Sequence, residues 1–241
     1  MARQIRIGTS GWNYPHWAEL FYPGDIPKAR WLEYYSTQFD TVELNATFYR
    51  LPRPATFENW RKRTPEGFLW SVKASRYITH VQRLKDVAES LERLYSNLEL
   101  LGDKLGVVLI QLPPSLKFEM DLVSEFCRLL RPGIRHTIEA RNQSWCEDEA
   151  LELLRARNIA WCISDTAGRY PCLEALTADF AYIRLHGPTR LYASEYTEND
   201  LQNWAQKVHS WDMDTYIYFD NDFSGYAVKN ARRLKEILLN D

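Results

Sequence analysis

Strand-like and helix-like segments alternate along this chain from one end to the other. Eight runs rich in β-branched and aromatic residues predict strands, and they begin at Ile5, Thr41, Phe68, Leu105, Arg135, Ile159, Phe180 and Thr215. The stretches between them carry apolar residues with a period near 3.6, which predicts amphipathic helices. Such alternation favours a parallel sheet covered by helices, because a helical crossover is the usual connection between parallel strands.

Eight strand–helix units in a chain of 241 residues predict a (β/α)8 barrel of TIM type, which takes roughly 250 residues. An open, doubly wound α/β sheet is the alternative, and the lack of a GxGxxG turn after the first strand disfavours it. The sixth unit is irregular, because the segment TAGRYPCLEALTAD that follows its strand leaves room for only a short helix. No linker or low-complexity segment divides the chain, so residues 1–241 are expected to form one barrel domain.

Composition narrows the classes of function. Hydrophobic residues make up 45% of the chain and charged residues 26%, as in an ordinary globular protein with a sizeable core. The formal net charge is −2, so no global positive field would draw the chain to nucleic acid or to a membrane. The N-terminal segment lacks the apolar run of a signal peptide, and no stretch approaches the length of a membrane span. We therefore expect a cytoplasmic protein without a membrane partner, and the sequence leaves its oligomeric state open.

Polar side chains gather where the predicted strands end. In the segment RHTIEAR, alternation places Thr137, Glu139 and Arg141 on one face, opposite the apolar Ile138 and Ala140. Six other strands end in the same way, and their polar residues are Glu43, Asn45, Lys73, Gln111, Asp165, Arg184, His186, Tyr218 and Asp220. Active sites of (β/α)8 barrels lie at the C-terminal ends of the strands, so these side chains are expected to face one polar cup at the barrel mouth. The alternative is that they only neutralise one another inside the barrel.

Seven motifs, in this order, resemble those of the YecE-like domain of unknown function: GTSGWNYPHW, YYSTQFDTVELNATFYRLP, VKASRYITH, VLIQLPPS, IEARNQSW, RLHG and YFDND. The resemblance runs from about Ile5 to the last helix. It implies a TIM-like barrel and a site, but no reaction, because the activity of that family is unassigned. The family pattern usually has asparagine where this chain has Asp220, so an extra carboxylate alters the local charge. The residues at matching positions are Trp12, Glu43, Asn45, Phe48, Tyr49, Lys73, His80, Gln111, Glu139, Arg141, Ser144, Trp145, Arg184, His186, Asn221 and Asp222.

The mixture of charges in the cup predicts an enzyme that performs acid–base chemistry on a polar, anionic small molecule. Glu43, Glu139 and His186 are the candidate catalytic residues, because carboxylates and imidazole exchange protons readily when positioned against a substrate. The residues expected to bind the substrate are Asn45, Tyr49, Lys73, Gln111, Arg141, Trp145, Arg184 and Asn221. The aromatic members offer rings for stacking, and simple packing under the loops is an equally good interpretation.

The most specific expectation is a bound anion, such as phosphate, sulfate or a phosphorylated or carboxylated compound, near Arg184 and His186. Barrels often hold phosphate between the loops after strands seven and eight and a helix N-terminus. Gly187 would allow close backbone approach, and Ser224 or Gly225 would present N–H groups at the start of the last helix. The opposite outcome is that Lys73, Arg141 and Arg184 are all paired with Glu43, Glu139 and Asp165, which would leave no free donor for an anion.

A divalent-metal-dependent hydrolase or isomerase is the second hypothesis. Its ligands would be Glu43, Glu139, Asp165, His186 and Asp220, whose oxygen and nitrogen atoms suit such ions. The chain has no HExxH motif, and its four cysteines lack CxxC spacing. We therefore assign no metal ligand and leave the cofactor unknown.

A non-enzymatic module for nucleotides or nucleic acid is the third hypothesis. Its binding surface would be the basic cluster Arg50, Arg53, Arg61, Lys62 and Arg63, with Phe57 and Trp60 between these residues. A solvated helix face is the commoner meaning of such a cluster, and the net negative charge disfavours tight binding of nucleic acid.

Overall fold

The eight strands lie parallel in one sheet, whose order is β1-β8-β7-β6-β5-β4-β3-β2 in a computed structural model that describes residues 3–240. Their bounds are β1 (Ile5–Thr9), β2 (Thr41–Leu44), β3 (Leu69–Lys73), β4 (Leu105–Gln111), β5 (Arg135–Glu139), β6 (Ala160–Asp165), β7 (Phe180–Leu185) and β8 (Asp214–Phe219). The first and last strands pair in register from Ile5–Thr215 to Thr9–Phe219. The sheet therefore curls back on itself, and the predicted TIM-type (β/α)8 barrel is confirmed.

Helices surround the strands: α1 (Trp31–Gln38), α2 (Ala46–Tyr49), α3 (Pro54–Arg63), α4 (Ala88–Leu98), α5 (Met120–Arg128), α6 (Asp148–Ala156), α7 (Glu198–Trp211) and α8 (Tyr226–Asn240). The sequence explains their ends and faces. In α4 the stripe of Leu91, Leu94 and Leu98 is buried against the sheet, and α7 begins with a capping box between Thr197 and Asp200. Among the described residues, no helix has the length and apolarity needed to cross a membrane.

The sixth unit is irregular, as its sequence predicts, but it has no helix, although a short one was expected. Residues 166–179 between β6 and β7 run as turns and irregular chain. The Thr177 hydroxyl donates to the Ile159 carbonyl at 2.7 Å and accepts the Trp161 N–H at 2.7 Å, while the Trp161 indole donates to the Leu173 carbonyl at 2.8 Å. Side chains thus satisfy the backbone groups that a crossover helix would otherwise cover.

One seam of the barrel is closed differently from the others. Seven neighbouring pairs of strands share hydrogen bonds, whereas β1 and β2 share a single bridge between Ser10 and Glu43. The buried Tyr35 hydroxyl joins these two strands, because it accepts the Thr9 N–H at 3.0 Å and donates to the Thr41 carbonyl at 3.1 Å. A Cβ on Gly8 would lie 2.3 Å from that carbonyl oxygen, so only glycine allows this approach.

The interior of the barrel changes character along its axis. Its apolar and aromatic filling comes from alternate residues of β4, β6, β7 and β8, and consists of Val107, Leu109, Ala160, Cys162, Phe180, Tyr182, Tyr216 and Tyr218. The Tyr218 hydroxyl contacts Thr41 Oγ1 at 2.6 Å and Ser71 Oγ at 2.8 Å. Above this layer, at the C-terminal ends of the strands, the next inward residues are charged. The packed lower layer therefore supports a polar upper layer.

Candidate functional site

Arg184 lies at the centre of the polar layer, and its side chain is 1% exposed. It follows Tyr182 by two residues on β7, so both point into the barrel. Nε donates to Glu43 Oε2 at 3.0 Å, and Nη2 donates to Glu43 Oε1 at 2.7 Å and Asp220 Oδ2 at 3.1 Å. Nη1 donates to Glu139 Oε2 at 2.6 Å and His186 Nε2 at 3.2 Å. All five N–H groups of the guanidinium are thereby used.

Glu43, near the end of β2, is fully buried and binds groups from β7, from the end of β1 and from the residues that follow its own strand. Besides Arg184, its carboxylate accepts hydrogen bonds from Ser10 Oγ at 2.8 Å, Tyr182 OH at 2.7 Å and Asn45 Nδ2 at 3.3 Å. The Ser10 contact crosses the β1–β2 seam. Burying a carboxylate this deeply requires such full pairing, because an unpaired buried charge costs several kcal/mol.

Glu139, at the end of β5, is held equally firmly. Gln111 Nε2 donates to both of its oxygens at 3.0 Å, and Arg141 Nε donates to Oε1 at 2.9 Å. Burial alone would raise the pKa of Glu139, but the guanidinium groups of Arg184 and Arg141 hold that pKa well below its usual range. Glu139 is therefore a permanent anion at neutral pH.

His186 and Asp220 form a pair beside Arg184. Because a guanidinium only donates, His186 Nε2 is the acceptor of its bond with Arg184, which leaves the ring N–H on Nδ1. Nδ1 lies 3.0 Å from Asp220 Oδ2, although the angle does not satisfy a hydrogen bond. Burial tends to raise the pKa of Asp220, but His186 and Arg184 lower it below its ordinary value. The Asp220 side chain is 21% exposed, so it meets solvent at the mouth.

Lys73, the last residue of β3, differs from the other cations of the cluster. Its side chain is buried, and its Nζ lies 4.2 Å from the centre of the Phe48 ring. Among residues 3–240 no carboxylate lies within ion-pairing distance of it, since each nearby carboxylate is bound to an arginine. Burial and the Arg184 charge lower the pKa of Lys73 to about 8, against the opposing pull of Glu139, Glu43 and Asp220.

Aromatic and imidazole rings form the rim of the mouth. The Arg141 guanidinium lies 4.7 Å from the Tyr170 ring centre, and the Tyr192 ring packs edge-on against His186 at 5.4 Å. His80 packs edge-on against Phe48 at 5.1 Å. Burial, with the charges of Lys73 and Arg141, lowers the pKa of His80 to about 4, so this ring is neutral at neutral pH.

The structure brings together most of the residues predicted from strand ends. Glu43, Asn45, Lys73, Gln111, Glu139, Arg141, Arg184, His186 and Asp220 share this layer or its immediate edge. Their roles differ from those predicted, however. Glu43 and Glu139 are enclosed and saturated with donors, so they hold Arg184 in place, whereas Asp220 and Lys73 lie nearer to the mouth.

Four predicted side chains lie elsewhere. The Trp145 indole is fully buried and donates to the Leu116 carbonyl at 3.0 Å, so it packs under a loop. Asn221 is buried on the helix side, where its amide donates to Ser194 and Asn230. Asp165 accepts from Tyr196 OH at 2.9 Å, because Cys162 and Ser164 are the inward residues of β6 and Asp165 is one residue out of phase. Tyr49 is 73% exposed and lies outside the cluster.

The expected anion site near Arg184 and His186 meets a physical obstacle, since Arg184 has no free N–H. The backbone N–H of Gly187 is bonded to Tyr196 OH at 3.0 Å, and a Cβ there would strike Arg190 O and Ser194 Oγ of the same loop. At Gly225 the Leu20 side chain fills the space that a Cβ would take. These glycines thus serve loop packing, and the donors with spare capacity are Lys73 and Arg141.

Sequence reasoning missed several contributors to the site. Tyr182 and Ser10 bind Glu43 directly, and Tyr170 and Tyr192 form the rim. Alternation along β7 could have identified Tyr182, because it precedes Arg184 by two residues on the same face. The rim residues lie on irregular loops without a period, so no pattern signals them.

A groove with a volume of about 1070 Å³ lies beside the mouth, and its lining includes Tyr49, Arg50, Arg53, Tyr77 and Arg93. The basic cluster predicted along this part of the sequence falls into two groups, and Arg50 and Arg53 form the one that lines the groove. Its last three members form ion pairs along or beside α3, namely Arg61 with Asp103, Lys62 with Glu58 and Arg63 with Glu33. Phe57 and Trp60 are buried and therefore belong to the core.

Four of the five side chains proposed as metal ligands contact Arg184 instead, and the fifth, Asp165, accepts from Tyr196 OH. In residues 3–240 no group of three or more histidine, cysteine, aspartate or glutamate side chains has an arrangement suited to a metal ion. The cluster of Glu43, Glu139, Asp220 and His186 is organised around the Arg184 guanidinium, which occupies the place between them.

Comparisons with known proteins extend these findings. A family model described as "Protein of unknown function DUF72" matches residues 6–241. The UPF0759 protein YunF of Bacillus subtilis is 26% identical over 97% of this chain and 94% of its own, and YecE of Escherichia coli K12 is 24% identical over 89% and 84%. A crystal structure of a DUF72 family protein from Thermotoga maritima superimposes with a TM-score of 0.88 at 28% identity, covering 98% of this chain and 100% of that one.

Proposed function

The chain belongs to the DUF72 family of proteins of unknown function, and from that premise we propose that its barrel mouth is the active site of an enzyme that acts by acid–base chemistry on a small anionic substrate. The observation that carries the proposal is the unpaired lysine. Lys73 is a buried cation without a carboxylate partner in the described chain, beside a cluster in which every other charge is bound. A substrate anion would supply the missing partner.

Arg141 is the second group that would hold the anion. Its Nε and Nη2 are bound to Glu139 at 2.9 Å, while Nη1 has no hydrogen-bond partner in the part of the chain that the structure describes. Its side chain is 14% exposed. An anion between Lys73 and Arg141 would therefore be bound by one point charge and one fixed donor.

Proton transfer is assigned to Lys73 and Asp220. With a pKa of about 8, roughly a tenth of the lysine is neutral at pH 7 and can accept a proton. Asp220 is ionised and meets solvent, and His186 beside it carries a proton on Nδ1. Asn45 Oδ1, Ser164 Oγ and His186 Nδ1 are buried without a hydrogen-bond partner, which supports a polar ligand close to these atoms.

Anion binding tests this proposal directly. Phosphate and small carboxylates are titrated into the intact protein by calorimetry, and the Kd is compared with that of Lys73→Met and Arg141→Ala. We expect millimolar or tighter binding and at least a tenfold loss in each variant, or about 1.4 kcal/mol. Lys62→Met, which removes an exposed lysine outside the mouth, is the matched control and should leave Kd unchanged. Absence of binding, or equal Kd values in all four proteins, contradicts the proposal.

The groove beside the mouth favours a second candidate function, the binding of a single-stranded nucleic acid or nucleotide. Arg50, Arg53 and Arg93 have no ion-pair partner among residues 3–240, and Tyr49 and Tyr77 are 73% and 54% exposed beside them. Exposed rings that stack on bases, together with cations that contact phosphate, are typical of single-strand binding, although Asp86 and Glu89 also line the groove. Salt-dependent retention on immobilised oligonucleotide, lost in Arg53→Ala but kept in Arg61→Ala, would support this function over the first.

A further inference from the structure

We propose that Lys73 forms an iminium with the carbonyl carbon of the substrate, which places that substrate among small aldehydes and ketones that carry a carboxylate or phosphate. This inference rests on the proposed function, since it uses the same mouth and the same anion. It adds a covalent bond and a chemical class that acid–base chemistry alone does not require.

The position of Lys73 suits a nucleophile. It ends β3 beside Leu109 of β4, and its Nζ lies against the face of Phe48. An ion pair would hold the ammonium in its charged form, but Glu43, Glu139 and Asp220 are already bound by Arg184. A lysine amine that is desolvated near another cation is the arrangement that activates it towards carbonyl groups.

Lys104 provides an internal comparison. It is the other buried lysine of the described chain, and its Nζ donates to Arg61 O at 2.7 Å, Thr64 O at 2.5 Å and Thr64 Oγ1 at 3.4 Å. All three ammonium hydrogens of Lys104 are thus bound to fixed acceptors, as in a lysine with a purely structural role. Lys73 has no such acceptor among residues 3–240, so its nitrogen remains available.

Burial is the main reason that Lys73 can lose its proton. Burial, followed by the Arg184 charge, lowers the pKa of Lys73 to about 8, and the carboxylates of Glu139, Glu43 and Asp220 act in the opposite direction. Arg141 and the neutral His80 face the same space. The neutral amine of Lys73 is therefore accessible at physiological pH.

The step balances without a further reactant. The Lys73 lone pair forms a C–N bond to the carbonyl carbon, the π electrons move to oxygen, and proton transfer from nitrogen to oxygen gives a carbinolamine. A proton from solvent, which reaches the mouth at Asp220, then leaves with the hydroxyl as water while the nitrogen lone pair forms the C=N bond. The net change is amine, carbonyl and one proton to iminium and water. The positive iminium acidifies the neighbouring C–H, which gives the Asp220 carboxylate a proton to remove.

Reductive trapping tests the inference. The intact protein is incubated at pH 7.5 with pyruvate and cyanoborohydride, and also with acetone as an uncharged carbonyl of similar size. Peptide mass mapping then gives the modified fraction at each lysine. We expect Lys73 to react at least tenfold faster than Lys62 with pyruvate, Lys104 to stay unmodified, and acetone to show a much smaller preference. Arg141→Ala should reduce the pyruvate preference, and Lys62→Met should not.

A second measurement needs no variant. Reductive methylation of the unaltered protein with formaldehyde, followed over pH 6–11, should show half-maximal reactivity of Lys73 near the value of about 8 and a faster rate at Lys73 than at Lys62 at pH 7.5. Equal rates at Lys73 and Lys62 in both experiments overturn the iminium. If phosphate still binds in that case, the proposed acid–base function stands alone, and if it does not, both fail. If Lys73 is trapped equally well in Arg141→Ala, the inference that the substrate carries an anionic group is overturned.

Discussion

The two ends of the barrel contain the same ingredients, guanidinium and carboxylate groups, in opposite arrangements. At the N-terminal end of the strands, Arg6 binds Asp40 at 2.6 Å and Arg135 binds Asp214 at 2.8 Å, and all four side chains are 18–42% exposed. At the C-terminal end, one arginine with 1% exposure binds three carboxylates. The N-terminal end thus has separate pairs in contact with water, and the C-terminal end has one shared and buried cation.

This difference separates stability from function. Exposed ion pairs each contribute up to about 1 kcal/mol to the free energy of unfolding, so the loss of one pair has a small effect. Buried clusters cost several kcal/mol of desolvation per ion, so apolar residues of similar size often stabilise a fold equally well. This arrangement, which costs this much and leaves Lys73 unpaired at its edge, is the reason that we propose chemistry at the C-terminal end.

Substitution of Arg184 and of Arg135 should give the largest difference in stability between the two ends. Arg184→Met leaves Glu43 and Asp220 without an arginine partner and Glu139 with Arg141 alone, and we expect it to lower the free energy of unfolding by about 3–5 kcal/mol. Arg135→Met at the opposite end should cost about 1 kcal/mol. Urea denaturation at pH 7 measures both, and similar losses in the two variants would show that the ends are energetically equivalent.

Acid should remove the stabilising contribution of Glu139 at the C-terminal end. The folded-state pKa of Glu139 lies well below the ordinary value of 4.5, so its stabilising contribution is complete above that value and is lost as pH falls through the folded pKa. Each unit of depression corresponds to about 1.4 kcal/mol. Urea denaturation between pH 2 and 6 should show a shallower loss of stability in Glu139→Gln than in the parent, and parallel curves would refute this assignment.

Two tyrosines allow a finer comparison, because each gives one hydroxyl to a charged residue. Tyr182 OH donates to buried Glu43 at 2.7 Å, and Tyr216 OH accepts from Arg135 at 2.9 Å in a partly exposed setting. We expect Tyr182→Phe to cost about 1.5–3 kcal/mol and Tyr216→Phe about 0.5–1 kcal/mol. Thermal unfolding of both variants measures the two losses of stability. A larger loss in Tyr216→Phe than in Tyr182→Phe would contradict the prediction.

Lys73→Met should have the smallest effect at neutral pH, within about 1 kcal/mol of the parent and in either direction, because it removes a buried charge that has no partner. The pH dependence sharpens the test. Since the pKa of Lys73 falls from 10.5 to about 8 on folding, the unfolded chain binds more protons between these values, and stability rises with pH across that window. That rise should be smaller in Lys73→Met than in Lys62→Met when both are measured by urea denaturation from pH 7 to 10.

The sequence predicted the barrel well because its signals are local and periodic. Eight strand-like runs, and residue pairs such as Glu139 and Arg141 on one face, depend only on alternation within each strand. The position of Asp165 was predicted wrongly because the prediction rested on its place at a strand end alone, whereas alternation places Asp165 on the face of Trp161 and Ile163, opposite the inward Ala160 and Cys162. The complete use of the Arg184 donors was not predictable either, since its partners lie on β2, β5 and β8 and meet only in the closed barrel.

The β1–β2 seam also bears on how the molecule moves. Seven of the eight neighbouring strand pairs of the barrel are joined by hydrogen-bonded ladders. Local opening is expected first at the β1–β2 seam, because the fewest hydrogen bonds must break there. The Ser10–Glu43 contact crosses this seam, and Glu43 is one of the three carboxylates that fix Arg184. A fluctuation that separated β1 from β2 would therefore break the Ser10–Glu43 contact and loosen, through Glu43, the hold on Arg184.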